Sequence, residues 1–112
     1  MLVELDLFSG RPAPRWHLGP GAAEEFRTLS AALPPAGTVT HPREPGLGYR
    51  GFTVTDGDTV VRVFAGRVTG GATSRADPGR YLERWLLSRL PPPLHHLRPV
   101  VAAAIDEDGR ND

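Results

Sequence analysis

Val3, Leu5 and Leu7 alternate with Glu4, Asp6 and Phe8 near the start of the chain. A period of two marks a strand that turns one face to a core. Ser9 to Pro14 carries one glycine and two prolines and reads as a loop, and Arg15-Trp16-His17-Leu18 reads as a short extended return. The period then lengthens. Pro20 suits a first helical turn, Ala22, Phe26, Leu29 and Leu33 fall at helical spacing, and Pro34-Pro35 ends the run. From Gly37 to Gly48 a polar stretch around His41, Arg43 and Glu44, bounded by prolines and glycines, predicts a long loop.

Tyr49 to Thr55 and Asp58 to Val68 are rich in β-branched and aromatic residues, with Asp56-Gly57 between them as a two-residue hairpin turn. With that turn Val54 opposes Thr59, Phe52 opposes Val61, and Tyr49 opposes Phe64. Phe52, Val54, Val61 and Val63 form the apolar face of the hairpin, and Tyr49, Thr53, Val60, Arg62 and Phe64 the other. Gly70 to Ser74 reads as a linker. Asp77-Pro78 supplies an N-cap and a first-turn proline for a helix with Leu82, Trp85, Leu86 and Leu90 on one side, stopped by Pro91-Pro92-Pro93. Leu94 to Ile105 reads as a last helix restarted at Pro99, with a short strand at Val100-Val101 as the alternative, and the acidic tail 106–112 is expected to fray. The order strand, helix, hairpin, helix, helix predicts a single two-layer α+β domain over residues 1–112. Its small antiparallel or mixed sheet carries helices on one face.

Composition narrows the chemistry more than the fold. The 13 basic and 13 acidic residues of this 112-residue chain cancel, which removes the long-range field that nucleic-acid binders use. The sequence therefore predicts no nucleic-acid partner. No apolar run is long enough to span a bilayer, and the first eight residues alternate in polarity, so no membrane partner and a cytoplasmic location are expected. The chain has no cysteine, and every basic residue apart from histidine is an arginine. Disulfides, thiolate nucleophiles, thiolate-zinc sites and lysine Schiff bases are excluded. The histidines, at 17, 41, 95 and 96, show no HxH or HxxxH spacing, and neighbours on a helix point about 100° apart, so no metal site and no cofactor are expected. No GxSxG elbow and no phosphate-binding glycine spacing is present.

The candidate site follows from the strand faces. If Val3, Leu5 and Leu7 enter the core, Glu4, Asp6 and Phe8 share the opposite face with Tyr49, Arg62 and Phe64. Carboxylates beside aromatic walls are the general form of a small-molecule site, which makes Asp6 the lead general acid or base and Glu4 a second candidate. His17 is the proton-transfer partner, since its ordinary pKa lies near neutrality. Arg11, Arg15 and Trp16 are candidate substrate contacts beside Phe8, Tyr49, Arg62 and Phe64, because rigid arginines clamp oxyanions. The plainer reading is a solvated sheet face with cross-strand ion pairs, each worth under about 1 kcal/mol, and a Trp16 that plugs the core edge.

Phe8-Ser9-Gly10-Arg11-Pro12-Ala13-Pro14-Arg15-Trp16 resembles an FSGRPxPxW signature found near the N-terminus of small, mostly uncharacterised bacterial proteins, often with asparagine where Ala13 stands. The resemblance extends to Arg80 to Leu87, with Glu83 and Trp85-Leu86-Leu87. Such proteins are associated with actinobacterial biosynthetic gene clusters, so the resemblance implies a cofactor-free tailoring or cyclising enzyme of natural-product biosynthesis. The expected activity is acid-base ring formation or opening on an apolar small-molecule substrate. The competing expectation is a non-catalytic binding or accessory module that grips a peptide, a carboxylate ligand or a protein partner through the same face. Homodimerisation through that face is the third.

Overall fold

The computed structural model describes residues 1–7, 13–36, 49–70 and 73–110, of the last four the backbone alone. Six described strands form one antiparallel sheet: β1 (Leu2–Leu5), β2 (Arg15–His17), β3 (Phe52–Asp56), β4 (Thr59–Phe64), β5 (Arg67–Gly70) and β6 (Thr73–Ala76), in the spatial order β2-β1-β3-β4-β5-β6. Three described α-helices accompany it: α1 (Pro20–Ala31), α2 (Tyr81–Ser88) and α3 (Arg98–Arg110). The fold is α+β with a small antiparallel sheet, as the periodicities predict.

The sheet has more strands than the sequence suggests, and its turns explain why. β3 and β4 pair through Asp56↔Thr59, Val54↔Val61 and Phe52↔Val63. The loop is Gly57-Asp58 instead of Asp56-Gly57. Gly57, at φ 61°, occupies the first central position, the place a type II′ turn reserves for glycine. The register therefore moves by two residues, which leaves the side chains of the paired residues 52–56 and 59–63 on their expected faces. The segment expected as one strand to Val68 instead reverses at Ala65-Gly66, whose φ values of 54° and 80° make the mirror-image turn of a tight hairpin. Alanine rarely accepts that conformation, so no turn signal stood out there. The expected linker is part of a third hairpin, with Gly70 paired to Thr73 and Val68 to Arg75. The expected loop 37–48 lies outside the described residues.

Val3, Leu5, Phe52, Val54, Val63 and Val68 are buried on one face of the sheet. Against them pack Ala23 and Phe26 of α1, Leu82, Trp85, Leu86 and Leu87 of α2, and Val101 and Ile105 of α3. The Phe26 and Trp85 rings meet at 6.0 Å and join α1 to α2. Val101 and Ile105, four residues apart and both at 0% exposure, settle the last segment as helix. A 3-10 turn over Pro92–Leu97 leads into it, and its backbone stays helical to Arg110. No helix among the described residues is long and apolar enough to cross a membrane.

After α1 the chain closes one edge of the sheet. Ala36 N donates to Ser74 O at 2.9 Å and Ala76 N to Pro34 O at 2.8 Å, along the outer side of β6. Arg75 Nη1 donates to the carbonyls of Ala31 at 3.2 Å and Leu33 at 2.9 Å, satisfying acceptors that the helix end leaves unpaired.

Candidate functional site

Residues directly opposite one another in a sheet share a face. On the face away from the core, one row therefore crosses all six strands: Arg15, Glu4, Thr53, Arg62, Thr69 and Ser74. A second row sets His17 beside Leu2, Thr55 and Val60. A third sets Asp6 beside Gly51, through a 2.9 Å backbone hydrogen bond, and Phe64 opposite Arg67.

The acids on this face are paired. Asp6 accepts from Thr53 Oγ1 at 2.9 Å and lies 3.5 Å from Arg62 Nη1. Glu4 lies 3.9 Å from Arg15 Nη1. Arg62 also donates through Nη2 to the Arg50 carbonyl at 2.5 Å. The guanidiniums stand above the carboxylates, with side-chain exposures of 63% for Arg15 and 46% for Arg62 against 32% for Glu4 and 22% for Asp6. In each pair the guanidinium is the more exposed partner.

Of the predicted site, Glu4, Asp6, Arg15, His17 and Arg62 do share one face, but not one point on it. His17 stands opposite Leu2. Asp6 is four residues further along, or about 13 Å at the rise of a strand. That exceeds the reach of a shared proton, which needs about 3 Å or one bridging water. Trp16 turns to the core, where it meets Phe52 edge-on at 6.4 Å, although its buried Nε1 has no hydrogen-bond partner among the described residues. Phe8 and Arg11 lie outside the described residues.

Tyr49 is placed differently from the expectation. It wraps round the sheet end, edge-on to Phe52 of the core at 6.0 Å and to Phe64 at 5.8 Å, and its hydroxyl donates to Glu83 Oε2 of α2. Gly51 is the cause. Its φ of 96° breaks the strand alternation, and a Cβ there would lie 2.6 Å from both Phe64 Cβ and the Val63 carbonyl oxygen. Phe64 thus closes over Gly51, with the Arg80 guanidinium 5.8 Å from its ring centre.

Sequence reasoning gave no role to the ion pair behind this corner. Glu83 is fully buried and takes Arg80 Nε at 2.8 Å on one oxygen and Nη2 at 2.7 Å on the other. Buried Asp77 accepts the backbone N–H of Leu82 at 2.8 Å and of Glu83 at 3.1 Å, capping α2 across an intervening 3-10 turn. The usable signal was the i, i+3 spacing of Arg80 and Glu83 among apolar residues. This corner is a polar anchor between α2 and the sheet.

Comparison of the chain with protein-family models, with curated proteins and with solved structures yields no match.

Proposed function

We propose that this chain is a binding module whose polar sheet face recognises an acidic polypeptide segment of a partner. The observation that supports it is the layering of charge: Glu4 and Asp6 lie beneath Arg15 and Arg62, which remain 63% and 46% exposed. Acids in the lower layer fix the guanidiniums in place, and guanidinium forks with remaining N–H donors match carboxylates. The exposed Thr69 continues the row as a hydrogen-bonding position.

The same geometry lends less support to an acid-base catalyst, because Asp6 and His17 stand too far apart to act on one atom and Asp6 is already engaged by Thr53 and Arg62. The test is titration of the protein with a labelled glutamate-rich peptide and with its lysine-rich counterpart. Binding of the acidic peptide alone is expected, weakened by salt and at least tenfold by Arg15→Glu. Equal affinity for both peptides, or none for either, overturns the reading.

A further inference from the structure

The two edges of the sheet are unlike. On the β6 side the Pro34–Ala36 segment takes the outward backbone groups. On the other side, β2 bonds to β1 through alternate residues only. Leu5 N donates to Pro14 O at 2.8 Å and Leu18 N to Met1 O at 2.9 Å, which places residues 14, 16 and 18 toward β1. In an antiparallel ladder the intervening residues then direct their N–H and C=O outward. Those are Arg15 and His17, both exposed.

Between them sits Trp16, whose indole is about nine-tenths buried while Nε1 lacks an acceptor among the described residues. A buried donor without a partner is uncommon in a finished core.

We propose that an acidic polypeptide segment docks by adding a strand to β2, as the seventh of the sheet; this deepens the binding reading above and rests on it. Pairing antiparallel to β2 places every second residue of the incoming strand opposite Arg15 and His17 on the polar face, where carboxylates complement the exposed guanidinium and the imidazole. The residue opposite Trp16 falls on the helix side of the sheet and is apolar. The recognised pattern is therefore acidic-apolar-acidic. A second copy of this chain fits worse: antiparallel self-pairing about Trp16 sets Arg15 of each copy opposite His17 of the other, with no carboxylate across from either.

The experiment is backbone amide hydrogen exchange by NMR on the whole protein, alone and with a peptide of core sequence Glu-Val-Glu-Val-Glu, with Lys-Val-Lys-Val-Lys as control. At least tenfold slower exchange at Arg15 and His17, with the acidic peptide only, is expected. The variant His17→Pro, which removes one outward N–H, should weaken binding at least tenfold. If that variant does not fold, the exchange measurement on the unsubstituted protein still decides. Binding that shifts Arg62 and Thr69 while Arg15 and His17 exchange at their unbound rates overturns strand addition and leaves the face-binding reading standing. Absence of binding overturns both. Concentration-dependent protection of the same amides without peptide assigns the edge to self-association and overturns the proposal.

Discussion

Glu83 has no exposed surface and carries a charge, so its partners determine whether it stabilises the fold. Arg80 holds both carboxylate oxygens and the Tyr49 hydroxyl donates to one of them. Removing one member leaves the other charged in a poorly solvated place. Glu83→Ala is expected to cost about 3–5 kcal/mol in urea unfolding, while Arg80→Met combined with Glu83→Leu costs less than Glu83→Ala alone. A double variant destabilised as much as Glu83→Ala, or more, would overturn this account of the buried pair. Much at this scale was legible: the Asp77 cap and the sharing of a face by Glu4, Asp6 and Arg62 follow from residue type and strand alternation. The place of Tyr49 was not, because strand alternation extrapolated through Gly51 assumes an ordinary φ there.

Elements are tied by exposed pairs as well as by the core. Arg27 of α1 donates Nε to Asp56 Oδ2 at 2.8 Å and Nη2 to Oδ1 at 2.9 Å, joining the helix to the β3-β4 turn. The hydrogen bond from Arg27, then the nearby positive charge, holds the Asp56 carboxyl below the ordinary carboxylate range, and the same bond raises the Arg27 pKa. A carboxyl with a lowered folded-state pKa stabilises the protein above its unfolded-state pKa, and the effect is lost as pH falls through the folded value. Asp56→Asn should therefore flatten the acid side of the stability-pH curve while leaving the shape above neutrality unchanged, as thermal melts across pH will show. At this scale the β3-β4 hairpin was visible in its β-branched residues and glycine. The β4-β5 and β5-β6 hairpins were hidden, one by an alanine with positive φ and the other by glycines that mark a turn and a linker alike.

For the whole molecule, the two-layer arrangement was legible because apolar stripes at two periods must bury against each other. The strand count was not, since β5 and β6 are four residues each and mostly polar. Within the helix layer α1 and α2 are joined through the Phe26 and Trp85 contact, to which Glu25 adds a 3.2 Å hydrogen bond from Trp85 Nε1 and Arg89 a stacked guanidinium 4.9 Å from the indole centre. Trp85→Ala is expected to lower unfolding free energy by about 3–5 kcal/mol in chemical denaturation. A loss under about 1 kcal/mol would mean that α1 and α2 hold to the sheet independently. The chain segment laid along β6 has a consequence for assembly. Filaments and fibrils grow by strand pairing only when every subunit offers two open edges, one to receive and one to pass on. Here Pro34–Ala36 occupies one of them from within, so a strand joined at β2 ends the series: growth through sheet edges stops at one guest per molecule, or at two chains.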